Sequence, residues 1–169
     1  MWGWAARVTA SGRSTHSGSM EMKLKRSLPG YTDLLDRVQV ALTAQRLPLL
    51  IAIDGAEDCG KSSLANWLAW QLGMPAIQLD LYLIGDGRLA WHMSELKNAL
   101  ARRHSTGRPI IIEGILILDA LDQIGRKPDF VVHVRGGQES STLFPQIEKY
   151  RARRKPVEIS DYTIEGYRT

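Results

Sequence analysis

Apolar residues along this chain fall into two rhythms, continuous runs and spaced faces. Leu49-Leu50-Ile51-Ala52-Ile53, Ile110-Ile111-Ile112 and Phe130-Val131-Val132-His133-Val134 are almost unbroken, as in strands covered on both sides. Between them the apolar positions recur every third or fourth residue. Thr32 can cap a helix to about Gln45, with Leu34, Leu35, Val38 and Leu42 on one face. A second helix follows the first run to about Leu72, where Gly73 and Pro75 stop it. A short strand, Ala76 to Asp80, leads into an irregular stretch containing Gly85, Asp86, Gly87 and Arg88. Helices are predicted from Ser94 to His104, Ile115 to Leu121 and Ser141 to Arg154, and Tyr162-Thr163-Ile164 reads as a last strand. Strands alternating with helices predict an α/β fold of three layers, with a five-stranded parallel sheet between helices.

The first apolar run ends at a motif. Residues 55–62 read Gly-Ala-Glu-Asp-Cys-Gly-Lys-Ser, a complete G-x-x-x-x-G-K-S between a predicted strand and a predicted helix. That context makes it a phosphate-binding loop. The backbone from Gly55 through Ala56, Glu57, Asp58, Cys59 and Gly60 can turn its N–H groups onto a phosphate chain. The helix start at Lys61, Ser62 and Ser63 adds its dipole. Lys61 would place an ammonium on the terminal phosphates, and Ser62 a hydroxyl on Mg²⁺. Cys59, beside Lys61 at a helix N-terminus, is either a thiol of lowered pKa or an inert small side chain.

Three acids stand at or just after predicted strand ends, Asp54, Asp80 and Glu113. Ligands of open α/β sheets sit at that edge. Glu113 closing Ile110-Ile111-Ile112 suits an acid that orients Mg²⁺, with Asp54 a further metal candidate beside Ser62. Asp80 is the candidate general base for a hydroxyl acceptor. Tyr82, Arg88, Trp91 and His92 follow it and are the candidate acceptor-binding residues, rings for stacking and a cation for an anionic group. Trp67 and Trp70 are packing residues, His133 reads as a satisfied core histidine, and His104 as a helix-end cation.

Composition changes this picture little. The chain has 169 residues, 44% hydrophobic and 24% charged, which fits one soluble globular domain. Its net charge of +4 resides in residues 1–30, with five basic side chains and one acid; the remainder holds 17 of each sign. Residues 1–30 are expected to be a disordered basic leader or tag, and 31–169 a single nucleotide-binding domain. Nucleic-acid contact through the leader would be electrostatic alone, and is not the expected partner. A single cysteine excludes an internal disulfide, and no apolar run reaches the length of a membrane span. The cytoplasm is the expected location.

In order, IAIDG, GKS, QLD-L-Y, PIIIEGILIL and DFVVHV resemble the uridine kinase and phosphoribulokinase branch of P-loop kinases, over about residues 31 to 169. The resemblance implies ATP and Mg²⁺ as cofactors and phosphoryl transfer to a small-molecule hydroxyl acceptor, a nucleoside such as uridine or cytidine. Asp80, Tyr82 and Glu113 take the places of that branch's acid, aromatic residue and EG acid. One departure stands out. The arginine-rich lid of such kinases is replaced by Val134-Arg135-Gly136-Gly137-Gln138-Glu139-Ser140, leaving Arg135, Arg151 and Arg154 as candidate lid residues. Without a lid, the alternative is a non-catalytic or regulatory ATP-binding protein. A GTPase is set aside because no Asn-Lys-x-Asp occurs, and an AAA-type ATPase because it is expected to be longer.

Overall fold

The computed structural model describes residues 29–44, 48–85, 89–137 and 142–166. Residues 1–28 lie outside the described residues, as do Gln45, Arg88 and Ser141. The strands are β1 (Leu50–Gly55), β2 (Ala76–Gln78), β3 (Ile110–Glu113), β4 (Phe130–Arg135) and β5 (Tyr162–Glu165). The helices are α1 (Tyr31–Ala44), α2 (Lys61–Leu72), α3 (Met93–Ser105), α4 (Ile117–Gln123), α5 (Phe144–Arg154) and the single turn α6 (Pro156–Ile159). The strands pair in parallel in the order β2-β3-β1-β4-β5. The five-stranded α/β architecture read from the sequence is the one observed.

Strand parity divides the core into two layers. Ile51 and Ile53 of β1, Ile111 of β3, and Val132 and Val134 of β4 pack against Leu34 and Val38 of α1 and Leu64, Ala65 and Leu68 of α2. The alternate residues Leu50, Ala52, Ile110, Ile112 and Val131 pack against Leu96 and Leu100 of α3, Leu118 and Leu121 of α4, and Tyr150 of α5. Both faces are dry because parallel crossovers lay helices on each. The sheet's centre is its most apolar part, and Leu50 through Ala56 are buried without exception. That rigid strand fixes where the loop after it begins.

Two boundaries differ from the predicted ones in a way that matters. β2 stops at Gln78, and Asp80 lies in a one-turn 3₁₀ helix, Leu79–Tyr82, rather than closing the strand. The segment beyond is not wholly irregular: the chain returns on itself, and Leu83 bridges Trp91 in antiparallel fashion. Trp67 packs on Tyr31, ring centroids 4.9 Å apart, which ties α1 to α2. Trp70 is 78% exposed, a surface residue.

Candidate active site

The loop between β1 and α2 is shaped by its own backbone. Gly55 sits at φ +154°, and a Cβ there would come within 2.6 Å of Val134 O and 2.8 Å of Cys59 Sγ. Only glycine admits that approach of β4 and the loop to each other. Asp58 and Gly60 adopt positive φ, 54° and 93°, which curls successive N–H groups inward as an anion nest. Gly60 caps α2 with no side-chain hydrogen bond. The first N–H groups of the helix are thus not capped by it and can receive an anion.

Lys61 is the single cation among the described residues lining a cavity of about 610 Å³ at the C-terminal edge of the sheet. It is buried, and its Nζ donates to Ala56 O and, at 3.8 Å, to Cys59 Sγ. No carboxylate among the described residues forms an ion pair with it. A buried ammonium held by a carbonyl and a thiol fits a phosphate, because only an anion would offset its lost hydration. Across the cavity, Ser62 Oγ donates to Glu113 Oε1 at 2.8 Å. Burial raises the pKa of the Glu113 carboxyl, and the Ser62 hydrogen bond and Lys61 offset part of that rise. Asp80, exposed, and Glu57 and Asp58 complete the acidic lining. Gly114 lets β3 end close to the 3₁₀ turn, since a Cβ there would lie 2.6 Å from Leu79 Cβ.

Four acids and one lysine suit a triphosphate only with a cation bound beside it. No group of three or more His, Cys, Asp or Glu among the described residues could hold a metal alone. Ser62 and Glu113, already in contact, could hold such an ion.

Asp54 does not join them. Glu113 lies in register with Ile53, so Asp54, one residue on, points to the opposite face of the sheet. There it is buried, its Oδ1 accepting from Tyr150 OH at 2.9 Å and its Oδ2 lying 3.3 Å from His133 Nδ1. The metal-ligand expectation for Asp54 is corrected by strand parity. His133 is the buried, partnered histidine that was expected. Burial and the neighbouring Asp54 together raise the Tyr150 phenol pKa, so this group stays a hydrogen-bond donor. Asp54→Ala strands both partners and should destabilise the protein by about 3 kcal/mol, read as a lower denaturation midpoint with unchanged slope.

The other candidates divide. Trp91 lines the cavity, whereas Tyr82 packs half-buried beside it and His92 is exposed. Arg88 lies outside the described residues. None of the three candidate lid arginines lines the cavity. Arg135 lies 3.5 Å from Glu165, and Arg151 pairs with Glu148 at 2.9 Å. Arg154 reaches Asp119 at 2.6 Å and Asp122 at 2.8 Å, which binds α5 to α4. Cys59 is fully buried, and its desolvation raises the thiol pKa against the smaller opposing effect of Lys61. Of the two readings of Cys59, burial favours the inert small side chain over the thiol of lowered pKa.

Sequence reasoning missed Leu79, Leu83, Leu89, Ile115, Thr142 and Leu143, which also line the cavity. A signal was present for two of them. Leu83 and Leu89 stand almost symmetrically with Trp91 about Asp86-Gly87, a dipeptide typical of hairpin turns. Thr142 and Leu143 carry no local signal.

Fold and loop together define a P-loop nucleotide-binding domain. The sequence profile of the ATPase family associated with various cellular activities (AAA) matches residues 50–160, and the chain belongs to that family. The expectation that an AAA-type chain must be longer is overturned by this match. Among solved structures, one described as a possible uridine kinase from Bacillus stearothermophilus is similar, with TM-score 0.55 and 20% identity over 79% of this chain and 98% of that one. It has the fold of the P-loop kinases, as the resemblance in the sequence implied. A shikimate kinase from Acinetobacter baumannii in complex with shikimate has a TM-score of 0.47 and 15% identity over 75% of this chain and 88% of that one. A comparison with curated proteins finds no match. Among the described residues, no helix is long and apolar enough to cross a membrane.

Proposed function

We propose that the protein is an ATP-dependent kinase that transfers the γ-phosphoryl of Mg²⁺–ATP to the hydroxyl of a small molecule. The observation that carries this is the buried Lys61, without an ion-pair partner among the described residues, lining the same 610 Å³ cavity as Asp80 and Glu113. Loop N–H groups and Lys61 bind the phosphates and stabilise charge as it moves to the leaving oxygen. Ser62 and Glu113 would hold Mg²⁺, which would supply charge neutralisation for the phosphates. Asp80 is exposed on the 3₁₀ turn, where it can take the acceptor's proton. The resemblance suggests a nucleoside such as uridine or cytidine as acceptor, and the single cysteine fits a reducing cytoplasm as location.

A second reading has its own support. Arg135, Arg151 and Arg154 are engaged in ion pairs away from the cavity, as in an ATP-binding protein that transfers nothing. The family's description adds a third acceptor, water. Release of ADP from Mg²⁺–ATP, with and without a panel of alcohols, separates the three. Acceptor-dependent release supports the kinase; equal release with and without acceptors indicates hydrolysis. Binding of ATP with no release leaves the non-catalytic protein.

A further inference from the structure

The cavity wall beyond Asp80 is a short antiparallel turn that phosphate chemistry leaves unused. His92 N–H donates to Tyr82 O at 2.7 Å and Ile84 N–H to Ala90 O at 2.8 Å, with Leu83 facing Trp91 between these bonds. A pair placed between ladder hydrogen bonds projects its side chains closely on one face. Leu89, two residues before Trp91, falls on that face by strand alternation. All three line the cavity, with Leu79 beside them, and Leu83 is left 40% exposed.

Among the described residues the indole N–H of Trp91 is this wall's one polar side-chain group. Among the described lining residues there is no Asn, Gln, His, Tyr or Arg, and the charged groups are the loop residues and the two acids beside it. An anionic acceptor would stand near Asp80 and Glu113 with Lys61, which the phosphates occupy, as the one counter-charge among the described lining residues. A polyol or a nucleobase edge would lose more hydrogen bonds to water against the leucines than the Trp91 indole N–H and the Thr142 hydroxyl can return. An apolar body instead removes the exposed wall from water.

We infer that the acceptor is an alcohol carried on an uncharged, predominantly apolar body, which lies on Leu83, Leu89 and Trp91 with its hydroxyl toward Asp80. The inference rests on the kinase reading and narrows its acceptor away from nucleosides. In the step, the acceptor oxygen forms a bond to the γ-phosphorus and the bond from that phosphorus to the β,γ-bridging oxygen breaks. ADP leaves with that electron pair, and the hydroxyl proton passes to Asp80.

The test is ADP release with three kinds of acceptor: phenylalkanols from benzyl alcohol to 4-phenylbutanol, uridine with cytidine, and gluconate. The phenylalkanols should give the highest kcat/KM, rising about fourfold per added methylene. Leu83→Asn, at a partly exposed position that tolerates it, should raise their KM about tenfold with kcat kept. A flat phenylalkanol series, an unchanged KM in Leu83→Asn, or preferred turnover of a nucleoside or gluconate overturns the inference while the kinase stands. Silence in every arm, with ATP still bound, overturns the kinase reading and this inference together.

Discussion

Lys61→Ala is expected to slow phosphoryl transfer roughly a thousandfold, the upper range for removing one preorganised charge from a developing phosphoryl transition state. The unliganded variant should be at least as stable as the parent. Lys61 is buried against Ala56 O and Cys59 Sγ with no ion-pair partner among the described residues. Deleting it removes a desolvation cost, not a favourable pair. The defect appears only with ligand. At a hundred times the parent's Kd, ATP should stabilise the parent by about 2.7 kcal/mol, and a variant with a hundredfold weaker Kd by about 0.4 kcal/mol. Thermal melts with and without Mg²⁺–ATP measure both. An alanine variant that gains as much from ATP as the parent would show that Lys61 merely packs.

Asp80→Asn should lower kcat by about a thousandfold, within the range of positioned proton acceptors, while ATP affinity moves less than about twofold. Asp80 suits this separation of effects. It is solvent-exposed on the 3₁₀ turn and lines the cavity without a hydrogen bond or ion pair to the loop, so the amide disturbs neither folding nor phosphate contacts. Single-turnover kinetics with ATP bound would isolate the transfer step. Near-parental kcat would remove Asp80 from the mechanism and leave Glu113, whose Oε1 is already engaged by the Ser62 hydroxyl.

The two effects bear differently on the rival readings. Loss of ATP stabilisation in Lys61→Ala is common to kinase, hydrolase and binding protein, because all need the loop. Loss of turnover in Asp80→Asn belongs only to a protein that activates an acceptor. The arginine pairs on α4 and α5 bear on a different question. Arg153 and Arg154 both reach Asp119, so their charge is spent on joining two helices and is not offered to a triphosphate.

The phosphate loop was legible in the sequence because its chemistry is local. Gly55, Gly60, Lys61 and Ser62 act through one continuous turn, and the apolar run before them and helix after them are read from adjacent residues. The strands β1, β3 and β4 were legible for a related reason: a strand buried on both faces must be apolar throughout. Register was not. Asp54 and Glu113 both end apolar runs, and only the pairing of Ile53 with Glu113 sends one carboxylate to Ser62 and the other to Tyr150 and His133. The same holds for Leu83, whose place on the cavity wall follows from facing Trp91 across a turn. Sequence by itself determined the sheet, the loop and the binding of phosphate, since each is set by neighbours along the chain. Which acids share Ser62's side of the sheet, which arginines are occupied, and what lines the cavity beyond Asp80 were decided by tertiary structure. A one-residue change in strand parity reverses a side chain's face, and contacts between distant helices leave no mark on the residues between them.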